Sequence, residues 1–145
     1  MGMQWVDEEV EEEDSSGGVM GLIVKKDWGE ELWIENNELY CGKKITNNGE
    51  WSSKGNFHYH PIKDETFYVA KGKLRVDVAL EKNGWINTSI LSEGMKIRIK
   101  PTIKHRFKAL TKLCEFIEFS TSHKEEDSIR CFWDKKGGKW VDVNS

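Results

Sequence analysis

From Val19 onward the chain alternates apolar and polar residues in short runs of period two, broken by Gly, Asn or Asp, and no helical period lasts longer than two turns. Side chains two apart share one face of an extended strand, so this pattern builds sheets that bury a single face. Leu74, Val76, Val78 and Leu80 alternate with Lys73, Arg75, Asp77 and Ala79, and the run meets Asn83-Gly84 before a return over 85–91. Asn-Gly is the pair favoured in type I′ hairpins. Further strands are predicted over 20–25, 31–35, 39–46, 57–60, 66–70, 95–99, 105–110 and 113–119. So many short strands at this spacing make a sandwich or a barrel, and the fold class is all-β.

A chain of 145 residues has room for one domain with its own core. Residues 7–14 (DEEVEEED) hold seven acids and no base beside Ser15-Ser16-Gly17-Gly18. Like charges without apolar surface cannot fold, so 1–18 are expected to be an acidic disordered tail and 19–145 a single domain. The remaining bases are scattered among acids without a stripe, which argues against nucleic acid as a partner. No apolar run reaches the roughly 20 residues of a membrane span, and no signal-peptide pattern opens the sequence. A cytoplasmic protein without a membrane partner is the expectation. Cys41, Cys114 and Cys131 are odd in number and widely spaced, which fits reduced structural thiols better than a disulfide framework.

The chemistry is concentrated in two segments. In Phe57-His58-Tyr59-His60-Pro61 the two histidines leave the same strand face and can converge on one ion. Pro61 cannot continue the ladder, so the chain turns through Ile62 to Asp64 and returns with Glu65, a carboxylate brought beside the imidazoles. In Pro101-Thr102-Ile103-Lys104-His105-Arg106 a second turn delivers a third histidine at a strand start. His123 stands apart among charged residues and is read as structural or exposed.

These residues resemble the cupin superfamily. His58, His60, Glu65 and Gly72 carry the His-x-His-x4-Glu-x6-Gly pattern of its first motif, and Gly94, Pro101 and His105 the second. Two departures are visible: Ser52 stands where the first motif usually begins with Gly, and the turn before His105 is a residue shorter than usual. The resemblance implies a double-stranded β-helix, a small jelly-roll barrel over roughly residues 28–133, holding a metal between its sheets. Within cupins the chain is similar to the module of type II mannose-6-phosphate isomerases and to D-lyxose isomerase-like sugar isomerases. The likeness rests on Trp28-Gly29 with Glu31 and Trp33, on His60, Lys63 and Glu65, on His105-Arg106, and on the closing stretch from Glu118 to Arg130.

Three imidazoles and a carboxylate suit Zn, Mn, Fe, Co or Ni and leave coordination positions open for Lewis-acid chemistry. The resemblance then implies aldose–ketose isomerisation of a sugar or sugar phosphate, with Lys63 a candidate base and Lys63, Lys104 and Arg106 placed to bind hydroxyls or a phosphate. A metal ion near Lys63 is expected to lower its pKa. Two other readings stay open: an oxygen-dependent cupin of the dioxygenase type, and a non-catalytic cupin sugar-binding module. Fold does not choose among them. A homodimer is expected, because small jelly rolls expose sheet edges and the aromatic segments near Trp28–Trp33 and Trp133–Trp140 offer apolar area.

Overall fold

The computed structural model describes residues 17–80 and 83–143; the expected acidic tail lies outside them apart from Gly17 and Gly18. Twelve strands follow in chain order: β1 (Leu22–Lys26), β2 (Gly29–Asn36), β3 (Cys41–Asn47), β4 (Phe57–Tyr59), β5 (Glu65–Lys71), β6 (Leu74–Ala79), β7 (Ile86–Leu91), β8 (Lys96–Ile99), β9 (His105–Ala109), β10 (Cys114–Ser120), β11 (Ile129–Asp134) and β12 (Lys139–Asp142). A turn at Ser52–Gly55, left-handed at Ser53 and Lys54, and a short 3₁₀ turn at Glu125–Asp127 complete the described elements. The strands form two six-stranded antiparallel sheets, ordered β1-β2-β3-β10-β5-β8 and β12-β11-β4-β9-β6-β7. All ten strands expected from the alternation are present; β11 and β12 are additional.

The inward faces of the two sheets meet in an apolar core. Ile45 on β3, Phe67 and Val69 on β5, Leu74 and Val76 on β6, Phe107 and Ala109 on β9 and Phe116 on β10 belong to it, with Trp28 capping it from the β1–β2 turn. Phe67, Phe107 and Phe116 stack edge-on or tilted at centroid distances of 5.0 to 5.8 Å. Apart from Trp28, each of these residues lies on the buried half of a period-two strand, which is why the sequence pattern alone marks the core face.

Gly29 has φ +140°, and a Cβ there would stand 1.8 Å from the Thr46 carbonyl oxygen, so β2 can start against β3 only with glycine. At the other hairpin the expected type I′ turn is not formed. Leu80 N–H donates to the Trp85 carbonyl, leaving four residues in the loop, and neither Asn83 nor Gly84 has positive φ. Gly84 is instead small for contact, since a Cβ would meet the Trp133 ring at 2.6 Å.

Strand β4 is only three residues long and pairs with β9 at a single position, His58 opposite His105. The rest of that β9 edge is closed by side chains: Ser52 Oγ accepts from Phe107 N–H at 3.0 Å and Asn47 Oδ1 from Ala109 N–H at 2.9 Å. This substitution of side chains for a strand opens the barrel beside the histidines and leaves a cavity of about 560 Å³. All three cysteines are buried free thiols. No helix among the described residues is long and apolar enough to cross a membrane.

Candidate metal centre

His58 leaves β4 toward the barrel interior, His60 follows just past the strand end, and His105 opens β9 directly opposite His58. One ring nitrogen from each lies within 4.8 Å of the other two, so the three form a group able to hold a metal ion. Glu65, at the start of β5 on the facing sheet, places Oε2 3.2 Å from His60 Nε2 and 3.1 Å from His105 Nε2. The four residues named by the sequence motif therefore come together between the sheets.

The donor and acceptor pattern tests whether a cation fits. His60 Nδ1 lies 3.0 Å from the Asp127 carbonyl oxygen and His105 Nδ1 2.9 Å from that of Ile103. A carbonyl only accepts, so both Nδ1 atoms carry the proton and both Nε2 atoms present lone pairs. The Glu65 carboxylate stands against both of these nitrogens, and the group within 4.8 Å is made by the three histidines. His105 Nε2, Glu65 Oε2 and His58 Nδ1 are buried without a hydrogen-bond partner. Buried acceptors turned toward each other are costly unless a cation lies between them, and nitrogen and oxygen donors at this spacing suit a divalent ion. Burial, then the neighbouring His105 and His60, hold His58 well below its ordinary pKa, which keeps the imidazole neutral as a ligand must be. Burial alone would raise Glu65, but its surroundings, the Lys63 ammonium foremost, keep the carboxyl well below its usual range.

Lys63 is buried on the turn between β4 and β5. Its Nζ donates to Glu118 Oε2 at 3.0 Å and stands 3.6 Å from Glu65 Oε1 and 3.2 Å from His123 Nδ1. Burial pushes its pKa down, but Glu118 and Glu65 together raise it above the ordinary lysine value. Beside these two carboxylates Lys63 is an ammonium donor.

Arg106 does not face the cavity. It follows His105 by one residue on β9, so it leaves the opposite face of the sheet. There it donates to Asp77 Oδ2 at 2.9 Å and to the Gly55 carbonyl at 2.9 Å, between the rings of Trp51 and Phe57. Lys104 lies over Tyr59 and Trp140. The assignment of Arg106 to the site fails on the alternation rule that correctly placed His58 and His60.

His123, read from the sequence as structural or exposed, lines the cavity instead, together with Glu31, Lys43 and Glu118. Lys43 was legible: it alternates on β3 with buried Cys41 and Ile45, so it points inward. His123 sits in the irregular stretch after β10, where no period applies. Asp127 also escaped notice. Its carboxylate accepts from the N–H groups of Ile62 and Lys63, both at 2.9 Å, and its carbonyl holds His60. It fixes the turn that carries one ligand histidine and Lys63. The turn before His105 is tied to the same place, since Thr102 N–H donates to the His60 carbonyl at 2.7 Å. Thr102 has φ +74°, a left-handed conformation in the shortened turn where the resembling motif usually has glycine.

No family model and no curated protein sequence matches the chain. Solved structures do. Oxalate decarboxylase from Bacillus subtilis overlays 76% of this chain and 30% of its own at TM-score 0.65 and 17% identity. The Lactobacillus farciminis oxalate decarboxylase formate complex overlays 74% of this chain and 33% of its own at TM-score 0.62 and 17% identity. The capsular polysaccharide assembling protein CapF from Staphylococcus aureus overlays 91% of this chain and 37% of its own at TM-score 0.65 and 14% identity. The chain spans about a third of the length of each. At such identities the likeness concerns fold. The chain has the cupin fold, a double-stranded β-helix of two antiparallel sheets with a three-histidine group able to hold a metal ion between them.

Proposed function

We propose that the chain is a metal-dependent cupin that acts on a sugar or sugar phosphate as an aldose–ketose isomerase, with His58, His60, Glu65 and His105 as ligands of a divalent ion. The observation that carries this is the convergence of three imidazoles, with Glu65 against two of them, at one end of a cavity that also has a charged, hydrogen-bonding wall. A bound ion would supply Lewis acidity to a carbonyl and a neighbouring hydroxyl oxygen. Lys63 adds an ammonium donor beside that point, placed to hold the substrate oxygen that gains negative charge when the adjacent carbon loses its proton. Glu118, hydrogen-bonded to Lys63 and to Ser120 Oγ, is a cavity carboxylate outside the ligand set and the candidate proton acceptor.

A relative in fold is described as assembling capsular polysaccharide, which agrees with a sugar ligand; others are oxalate decarboxylases, so oxalate belongs in any substrate panel. The oxygen-dependent reading calls for an apolar wall opposite the ion; Trp28, Ile45, Phe67 and Phe107 supply apolar lining, but Glu31, Lys43, Lys63, Glu118 and His123 add the charged wall that favours a hydroxylated ligand. The test is elemental analysis followed by an isomerisation panel of aldoses, ketoses and their phosphates with the metal restored. Turnover lost on chelation and regained on metal addition supports the reading. Turnover of oxalate and no sugar contradicts it.

We also propose a homodimer, on a different surface from the one expected. Trp28 and Trp33 are buried, and Trp133 and Trp140 pack on one another at 5.7 Å. The outer face of the first sheet instead exposes Ile23, Ile34, Tyr68 and Phe119. Light scattering at two chain masses would agree, and a concentration-independent single mass would remove it.

A further inference from the structure

Beside the histidine group the cavity wall carries a continuous chain of five polar side chains, of which the proposed reaction uses Lys63 and Glu118 and leaves Glu31, Lys43 and His123 unassigned. Glu31 Oε1 receives Trp33 Nε1–H at 2.8 Å and Lys43 Nζ at 3.4 Å. Lys43 Nζ lies 3.4 Å from His123 Nδ1, and Lys63 Nζ lies 3.2 Å from the same nitrogen. Lys63 in turn donates to Glu118 Oε2. The order is carboxylate, ammonium, imidazole, ammonium, carboxylate. Two ammonium groups facing Nδ1 make that nitrogen an acceptor, so the imidazole is neutral and the chain of five sums to zero charge.

The wall is balanced in charge but not in hydrogen bonds. The bonds to Glu31 fall on Oε1 and those to Glu118 fall on Oε2; the second oxygen of each accepts none among the described residues. Both residues line the cavity, and Glu118 is 4% exposed. Neither oxygen is a buried atom left without a partner, so both open on the cavity and can accept from a ligand, while the ammonium groups between them offer protons to acceptors. A hydroxyl does both. A phosphate or carboxylate brings acceptors only and would stand against two carboxylates, and a cation is disfavoured once a divalent ion occupies the neighbouring group.

We propose that Glu31, Lys43, His123, Lys63 and Glu118 form the recognition half of the cavity and take adjacent hydroxyls of a neutral polyhydroxylated ligand, an unphosphorylated sugar. The proposal deepens the sugar reading above and rests on it, choosing the neutral sugar over its phosphate. Ligand and metal then meet end to end: hydroxyls on the charged wall position the carbonyl end at the histidines. Glu31 is held at about 2 by Lys43 and the Trp33 hydrogen bond against its burial, so it is a permanent acceptor at physiological pH.

The test is calorimetric titration of the metal-loaded full-length chain with D-mannose, D-fructose, D-xylose and D-lyxose, each against its phosphate ester. A neutral sugar should bind, and its ester should bind roughly ten-fold more weakly or not at all. Glu31→Gln/Lys43→Gln removes a complete ion pair, so it leaves no buried charge alone; it should keep the metal content and lower sugar affinity roughly ten-fold. Glu118→Gln, which keeps the shape, should lower it similarly. A phosphate ester that binds more tightly than its parent sugar overturns the proposal, as do unchanged affinity in both variants or no binding by any of the neutral sugars. Binding without turnover removes the isomerase reading and leaves this one standing. Turnover confined to phosphate esters does the reverse.

Discussion

Asp77 has no exposed surface and gathers four hydrogen bonds, from Arg75 at 2.9 and 3.2 Å, from Thr88 at 2.7 Å and from Arg106 at 2.9 Å. Burial raises its pKa, but the Arg75, Thr88 and Arg106 bonds outweigh that and hold the carboxyl below its usual value. A folded-state pKa below the unfolded one contributes stability that is complete above the unfolded value, about 3.9, and is lost as pH falls through the depressed folded one. Asp77→Asn should therefore destabilise at neutral pH by about 1–3 kcal/mol, with the gap to wild type closing in acid; denaturant melts at pH 7 and pH 3 check this. At Lys63 the prediction concerns chemistry. Lys63→Met should keep the metal and the fold yet remove most turnover on whichever sugar is active, whereas near-normal kcat/KM would move the role elsewhere. His58 on β4 and His60 just past its end were legible as candidate ligands because a strand puts residues two apart on one face. The same rule, applied to Arg106, would have turned it away from the site.

Among the elements, the two turns that carry ligands depend on partners far along the chain. Asp127 lies 64 residues from Lys63 yet holds its backbone N–H and that of Ile62, and its carbonyl fixes the tautomer of His60. Removing such a partner of a metal ligand typically costs 10- to 100-fold in affinity. Asp127→Ala should lower metal affinity by about that factor with the secondary structure retained, as measured by chelator competition and circular dichroism; unchanged affinity would show that the turn holds itself. No local pattern discloses this contact, because period and turn chemistry describe neighbours in sequence and not a carboxylate arriving from far along the chain. Strands β11 and β12 were missed for a related reason. Their paired residues, such as Trp133 opposite Trp140, show little alternation of burial, since the sheet beneath them is covered by aromatic rings on its outer side as well. The Asn83-Gly84 pair marked a hairpin correctly but not its turn type, because packing against Trp133 decided the glycine.

For the whole molecule, one barrel serves two ends: an apolar end built on Phe67, Phe107 and Phe116, and a polar end built on the histidines and the charged wall. Phe67 and Phe107 belong to both, lining the cavity while closing the core. Phe67→Ala should cost about 3–5 kcal/mol and lower the melting temperature, and it should weaken metal binding as well, since the Phe67 ring lies 6.1 Å from that of His105. A loss of stability with metal affinity unchanged would show that the two ends are independent. The central claim is the ion itself, and metal content by mass spectrometry of the purified chain tests it most directly. About one divalent ion per chain is expected, falling to background in His58→Ala/His105→Ala, because the remaining two ligands retain only part of the chelate. Metal content unchanged in that double variant would contradict it.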